Sequence, residues 1–209
     1  MKYHIIAAIK RLSSHIPHHF PLIWSVRRQK EKVAITFDDG PTALTGTVLD
    51  CLARHDAKAT FFVLGCQVDQ YPDMIARILA EGHELGIHGV DHSLCDFFAQ
   101  VKRCKAALST FDVAPVMVRT PCCVIRPILT LRLWLCGYRS VVYSFDTHDS
   151  MRLEGKWKGP PPDYAQIVGG DIVLMHDDNE QCIADLPVLF QAIRRKGLHS
   201  VPLSELVHD

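Results

Sequence analysis

Three features are missing from this 209-residue sequence, and each absence excludes a class of protein. No apolar run approaches the roughly 20 residues that a membrane-spanning helix needs, so a membrane channel is not expected. Neither charge sign is in surplus, since 23 Lys and Arg residues balance 23 Asp and Glu residues, whereas a dedicated nucleic-acid-binding protein would be basic. No repeat or low-complexity tract is present, which excludes collagen and coiled coils.

The composition is that of an ordinary soluble domain, with 48% hydrophobic and 22% charged residues. A domain typically takes roughly 100–200 residues, so we expect a single domain over residues 33–209, preceded by a short arm. Nothing in the sequence indicates an oligomeric state.

The predicted arm, residues 1–32, is basic, with seven Lys or Arg residues against one acidic residue, Glu31. Four apolar residues follow one another at helical spacing, namely Ile5, Ile9, Leu12 and Ile16. Two interpretations remain open. The arm is either a surface helix that contacts anionic lipid or a helix that packs on the domain with its basic side in water.

Eight cysteines are present without a CxxC pair, which argues against a zinc ribbon or a thioredoxin motif. The apolar stretch His4–Ile9 is short and is followed by Lys10 and Arg11, so a secretory signal is not expected. Together these observations predict a reduced, cytoplasmic protein, although an even cysteine count also permits disulfides.

Short apolar runs alternate with helical patterns, which predicts parallel strands with helical crossovers. The seven strand candidates are Val33–Asp38, Ala59–Leu64, Glu84–His88, Val116–Arg119, Ser140–Phe145, Ile172–His176 and His199–Pro202. The helix candidates are Thr45–His55, Pro72–Glu81, Leu94–Phe111, Pro127–Cys136 and Ala184–Lys196. Pattern alone does not choose between a barrel and an open doubly wound sheet.

Polar residues end several of these strands, and in either architecture the carboxyl ends of the strands meet at one mouth. These residues are Asp38, Asp39, His88, Arg119, Asp146 and His176. The segment Asp149–Asp163 is too rich in glycine and proline for a regular element. It is either a substrate-facing loop or a spacer.

The first chemical motif places two adjacent carboxylates, Asp38 and Asp39, before Gly40 and Pro41. Adjacent carboxylates repel each other unless a positive charge lies beside them, and a divalent metal is the simplest source of that charge. The alternative is a solvated turn, for which glycine and proline are equally suited.

The second motif is a pair of histidines, His88 and His92, whose i, i+4 spacing lets both rings reach one ion if the segment is tightly turned. This is not the zincin signature, because Ile87 stands where that motif, begun by His83, requires a second histidine. The alternative is two surface or core histidines whose ring nitrogens are satisfied by other groups and bind no metal.

Both motifs together supply Asp39, His88 and His92 as ligands and Asp38 as a spare carboxylate. Three protein ligands leave positions open for water and substrate, as in catalytic rather than structural metal sites. The spare carboxylate could then accept a proton from water.

Four segments, TFDDGP, KATFFVLG, EGHELGIHGVDH and DIVLMHD, resemble the polysaccharide deacetylase family, the NodB-homology carbohydrate esterases of family 4. The resemblance extends from about Val33 to Leu206. It implies an α/β fold, a distorted (β/α)7-type barrel. It also implies a hydrolase that removes acetyl groups from N- or O-acetylated saccharides with a divalent metal, usually Zn²⁺, with Co²⁺, Mn²⁺ or Ni²⁺ as alternatives.

The resemblance assigns roles by position in the sequence. Asp38 matches the catalytic base, and Arg119 matches the arginine that orients it. Asp39, His88 and His92 match the metal ligands.

The remaining roles concern the leaving group and the acetyl group. His176 matches the catalytic acid and Asp149 its carboxylate partner, with Asp146 as a rival for that place. Cys122 matches the position whose backbone N–H faces the developing oxyanion, and Leu174 matches a residue of the acetyl pocket.

Four positions depart from the family pattern. Gly89 replaces a serine or threonine, Cys122 and Cys123 replace an aromatic-glycine pair, and Ser150 replaces a tryptophan for which Trp157 could substitute. These changes leave the reaction class intact but make a polymeric substrate less certain.

The leading hypothesis is therefore a metal-dependent deacetylase of an N-acetylated saccharide, with no nucleic acid as partner. Three alternatives stay open: hydrolysis of a small non-sugar amide, a saccharide-binding module without turnover, and a non-haem iron oxygenase. Oxygenases also use two histidines and one carboxylate, but the α/β alternation argues against them. The presence of Asp38 and His176 argues against a module that only binds.

Overall fold

The computed structural model describes residues 21–208. The predicted helix over the first part of the arm lies outside these described residues. None of the described helices is long and apolar enough to cross a membrane.

Within residues 21–208, nine strands form one curled sheet in which every ladder between strands is parallel. They are β1 (Leu22–Ile23), β2 (Lys32–Asp38), β3 (Ala59–Val63), β4 (Glu84–Ile87), β5 (Met117–Val118), β6 (Arg139–Val141), β7 (Phe145–Asp146), β8 (Ile172–His176) and β9 (His199–Ser200). The spatial order is β1-β6-β5-β4-β3-β2-β8-β7, and β9 also pairs with β2. The predicted distorted α/β barrel is confirmed, whereas an open doubly wound sheet is not found.

Eight α-helices connect or flank these strands in the described part of the chain. They are α1 (Thr45–Arg54), α2 (Gly65–Gln70), α3 (Pro72–Ala80), α4 (Phe97–Leu108), α5 (Pro127–Leu135), α6 (Asp149–Leu153), α7 (Glu180–Arg195) and α8 (Leu203–His208). Helix α7 begins earlier than its apolar pattern predicts, because the Asn179 side chain accepts a hydrogen bond from the backbone N–H of Cys182 at 2.9 Å and caps the first turn.

Two sequence-based assignments are wrong. The glycine- and proline-rich segment after Asp149 does contain a regular element, since α6 spans its first five residues. The predicted strand Ser140–Phe145 is two strands: β7 is the last strand in the sheet order, whereas β6 is second from the opposite end.

Alternate residues of the strands face two different apolar clusters, as the pleat requires. On the outer face, Ile35 and Phe37 pack under the helices. On the inner face, Ala34 and Ile172 pack against α8, which covers the end of the barrel where the strands begin. The opposite end, where the strands finish, is left to polar residues.

The last part of the predicted basic arm packs on the domain. Strand β1 pairs with β6, and Arg27 forms an ion pair with Asp171 at 3.0 Å. The division into an arm over 1–32 and a domain over 33–209 stays a prediction, and residues 1–20 lie outside the described part of the chain.

Candidate functional site

Polar side chains converge in a cleft of about 760 Å³ where the strands end. Parallel register places Asp38, the last residue of β2, beside His176, the last residue of β8. His88 and Arg119 directly follow β4 and β5 and continue the ladder, because their N–H groups donate to neighbouring backbone carbonyls at 2.9 Å. Pairing of the backbone therefore fixes the Cα positions of these four residues.

The three predicted metal ligands converge on one point. The candidate ligand atoms of Asp39, His88 and His92 all lie within 4.8 Å of one another. Oδ1 of Asp39 lies 3.5 Å from Nε2 of each histidine, is buried, and has no hydrogen-bond partner. A buried carboxylate oxygen without a donor is costly, and a cation at this point would satisfy it.

The tautomer of His88 also fits a cation. Its Nδ1 lies 2.9 Å from the carbonyl oxygen of Arg119, so Nδ1–H donates and the lone pair of Nε2 points toward Asp39. Burial lowers the pKa of His88 below its ordinary value, which favours the neutral ring that binds metals. Burial and the neighbouring carboxylate of Asp38 raise the pKa of Asp39.

A tight turn, rather than a helix, brings His92 back to His88. Gly89 has φ +99°, a conformation open mainly to glycine. A Cβ at this position would also lie 3.0 Å from the side chain of Gln100, which accepts the N–H of Val90 at 2.8 Å. The glycine that departs from the family pattern thus matches the local backbone.

Asp38 is a buried carboxylate held by Arg119. The Nη1 atom of Arg119 donates to Oδ1 of Asp38 at 2.7 Å and to the hydroxyl of Thr36 at 2.9 Å. Burial alone would raise the pKa of Asp38, but the charge of Arg119, with His88 and His176, lowers it below its ordinary value. Asp38 is therefore ionised, and its Oδ2 lies 3.8 Å from Nε2 of His88, next to the candidate metal point.

Arg119 is itself positioned by an aromatic ring that sequence reasoning missed. Its guanidinium carbon lies 4.2 Å from the ring centroid of Phe62. That ring lies across Gly86, where a Cβ would be 2.5 Å from the nearest ring atom. The ring can reach Arg119 only because the neighbouring strand has no side chain at this point.

His176 pairs with Asp149. Nδ1 of His176 lies 2.8 Å from Oδ1 of Asp149, and the backbone N–H of His176 donates to Oδ2 at 2.8 Å. Burial would lower the pKa of His176, but the hydrogen bond and charge of Asp149 raise it to about 10. The rival Asp146 instead binds His148, whose Nδ1 lies 3.2 Å from Oδ2 of Asp146.

The other side of the cleft consists of turns, the short helix α6 and a loop. Residues 122–125 and 150–156 contribute most of its lining, together with Tyr143, Asp146 and His148. Cys122 is exposed, Leu174 is buried at the cleft surface, and all eight cysteines are free thiols. The segment after Asp149 therefore faces the cleft and is not a spacer.

Trp157 does not line the cleft but supports a residue that does. Its ring stacks on His148 with centroids 3.7 Å apart and planes 18° apart. His148, which sequence reasoning did not single out, thus lines the cleft together with Ser150.

Comparison with known proteins decides the family. The model of the family described as polysaccharide deacetylase matches residues 25–110. A peptidoglycan-N-acetylglucosamine deacetylase of Bacillus cereus is 30% identical over 200 residues, covering 88% of this chain and 92% of the relative. This chain belongs to the polysaccharide deacetylase family. The predicted family and enzyme class are confirmed.

Other members of the polysaccharide deacetylase family show the same likeness. A chitooligosaccharide deacetylase of Bradyrhizobium is 29% identical, covering 83% of this chain and 90% of that one. A Listeria monocytogenes peptidoglycan-N-acetylglucosamine deacetylase is 33% identical over 86% of this chain, which spans only 39% of that longer protein. The solved chitin deacetylase of Colletotrichum lindemuthianum superposes with a TM-score of 0.75 at 28% identity, covering 93% and 94% of the two chains.

As a polysaccharide deacetylase, the chain belongs to a metal-dependent family and contains a possible metal site. Family membership favours hydrolysis over the oxygenase alternative.

Sequence reasoning also missed Asp177, a buried carboxylic acid behind the site whose Oδ2 accepts a hydrogen bond from the hydroxyl of Thr45. Burial raises the pKa of Asp177 to about 7. Asp177 directly follows His176 in the sequence, but no sequence pattern indicates that its carboxyl group is buried against Thr45.

Proposed function

We propose that this protein removes the acetyl group from an N-acetylated saccharide, with O-acetylated saccharides as a second substrate class. The observation that carries the proposal is one cleft in which an ionised carboxylate, three convergent ligands and a protonated histidine lie together. These are Asp38, the group Asp39, His88 and His92, and His176.

We propose Zn²⁺ as the ion held by Asp39, His88 and His92, with Co²⁺, Mn²⁺ or Ni²⁺ as substitutes. Two imidazoles and a carboxylate with open positions form a familiar ligand set for catalytic zinc. When bound, such an ion supplies a Lewis acid that eases deprotonation of water and withdraws charge from the acetyl oxygen.

Asp38 accepts the proton of the attacking water in this proposal. Its low pKa keeps it available as a base over a wide pH range, and Arg119 holds Oδ1 so that Oδ2 faces the ligand group. General-base catalysis needs this combination of reach and charge state.

His176 donates the proton that the leaving amine nitrogen requires. Asp149 holds Nδ1, so the Nε2 proton is the one free to leave. We assign the backbone N–H of Cys122 to the oxyanion, as a fixed donor at the cleft surface, and Leu174 to the methyl of the acetyl group.

The proposal is tested by acetate release from a panel of N-acetylated glycans and simple amides. The panel holds chitin oligomers, peptidoglycan fragments, acetylated xylan and small N-acetyl amides. The protein is first treated with a chelator, then supplied with Zn²⁺, Mn²⁺, Co²⁺ or Ni²⁺, and its metal content is measured. We expect acetate release from one saccharide, and only after metal is restored.

Two other outcomes would contradict the proposal. Acetate release from the small amides alone would favour a non-sugar substrate, in keeping with the altered cleft surface at Cys122, Cys123 and Ser150. No acetate release from folded, metal-loaded protein would favour a saccharide-binding module without turnover.

The cellular location is a separate question, and a cytoplasmic location stays a prediction.

A further inference from the structure

Helix α5 exposes the residues that a surface helix normally buries. Ile128, Leu131 and Leu135, at spacing i, i+3 and i+7, have 86%, 51% and 71% of their surface exposed. Trp134 beside them is 42% exposed, whereas only Leu133 is fully buried. We call these four exposed residues the apolar face of α5. An exposed apolar patch of this kind marks an interaction surface.

The chain segment that contains this face carries charge of one sign. Residues 113–145 contain four arginines and no Asp or Glu. Arg119 is used inside the site, but Arg126 and Arg132 are exposed at the start and on the side of α5. The guanidinium of Arg132 lies 3.8 Å above the ring of Phe98, which keeps its charge next to the apolar face. The complementary partner is therefore apolar and anionic at once.

The apolar face begins at the rim of the cleft. Val124 and Ile125 line the cleft, and α5 starts two residues later, with Ile128 in its first turn. The other end of α5 leads to β6, where the N–H of Ser140 donates to the carbonyl of Pro21 at 3.0 Å. Pro21, the first described residue, therefore lies at this same edge. The sequence that precedes it, residues 1–20, contains three basic residues and no acidic one.

We propose that the apolar face of α5, with Arg126 and Arg132, docks on an anionic lipid bilayer and places the mouth of the cleft at the membrane surface. Apolar side chains enter the boundary between headgroups and acyl chains, while arginines meet the phosphates. A helix of nine residues lies on the bilayer and does not span it. The proposal is independent of the proposed activity, because binding is measured without substrate.

The test is co-sedimentation of the full chain with phosphatidylcholine vesicles, with or without about one-third phosphatidylglycerol. We expect binding to the anionic vesicles, weaker binding to the neutral ones, and loss of binding as salt screens the arginines. The double variant Ile128→Ser with Leu135→Ser should weaken binding about tenfold, since two apolar side chains no longer enter the bilayer. The matched control, Val168→Ser with Val188→Ser, alters two exposed apolar residues elsewhere and should bind as the parent does.

Four results would overturn the proposal. One is the absence of anionic vesicle binding by the parent protein, and another is equal binding by the α5 variant, which would assign the contact to another surface. A concentration-dependent dimer abolished by the α5 variant would instead indicate a second copy as the occupant. A melting temperature lowered only in the α5 variant, without lipid, would indicate that the chain itself covers this face.

Discussion

The two sides of the cleft differ in how their residues are held. The wall, defined as the proposed site residues Asp38, Asp39, His88, His92 and His176, stands at or just after the ends of central strands. The rim, defined as residues 122–125 and 150–156, consists of turns, a short helix and a loop. Every strand-end residue of the wall has a backbone or side-chain partner that fixes it. The rim can therefore change in sequence without moving the chemistry, and three of the four positions that depart from the family pattern, Cys122, Cys123 and Ser150, lie in it.

Substitutions in the wall should also be more disruptive than substitutions in the rim. Asp38 is buried with Arg119, and Asp149 is fully buried behind His176. Removal of one partner from a buried charged pair leaves the other charge without compensation. Substitutions in the wall should thus change kcat or metal binding, and substitutions in the rim should change mainly KM.

The largest effect is expected for Asp38→Asn. Loss of the base should lower kcat by roughly 10²–10⁴-fold, while the ligand group still binds metal. Steady-state kinetics and metal analysis of the same preparation measure both. His88→Ala is the companion variant and should lose metal and activity together. Full activity in Asp38→Asn would show that another group is the base.

Asp149→Asn should shift the pH profile. The pKa of His176 is raised from 6.5 to about 10, so the ring stays protonated, and its stabilising contact is complete below pH 6.5 and lost as pH rises through about 10. Without the carboxylate the pKa falls, and the alkaline limb of kcat should move down by about one pH unit or more. Asp146→Asn is the matched control, because Asp146 contacts His148 and should leave the limb in place.

Gly86→Ala tests the packing beneath the wall. The added Cβ would lie 2.5 Å from the ring of Phe62, and overpacking of this kind costs about 1–3 kcal/mol of unfolding free energy. Because Phe62 supports Arg119, kcat should fall as well. Gly46→Ala, in α1 with its nearest contact at 3.5 Å, is the control and should be neutral or stabilising. Equal unfolding curves for both variants would contradict this account of the ring.

The smallest effects are expected at the rim. Trp157→Ala removes the stack on His148 and should raise KM by about two- to tenfold, since such ring pairs contribute about 0.5–1.5 kcal/mol. Cys122→Ala keeps the backbone N–H and should leave kcat within about twofold. A kcat loss in either variant as large as that of Asp38→Asn would remove the distinction between wall and rim.

Much of the wall could be predicted because its residues follow directly from apolar strands. The pattern that predicts β2 places Asp38 at its end, and the pattern that predicts β8 places His176 at its end. Sequence position predicts spatial position for these residues, because the carboxyl ends of all strands in a parallel barrel lie at the same face of the fold.

Long-range packing decided what the sequence left open. The choice of a barrel, and the separation of β6 from β7, depend on which strands pair across the whole chain. The ring of Phe62 over Gly86, the pairing of His176 with Asp149 and the stack of Trp157 on His148 join residues that no local pattern connects. From the sequence we could predict the strands, the chemical groups at their ends and, by resemblance to the family, several of their pairings. The packing of Phe62 over Gly86 and of Trp157 on His148 emerged only in the folded chain, because such contacts depend on distances between strands and loops that periodicity does not encode.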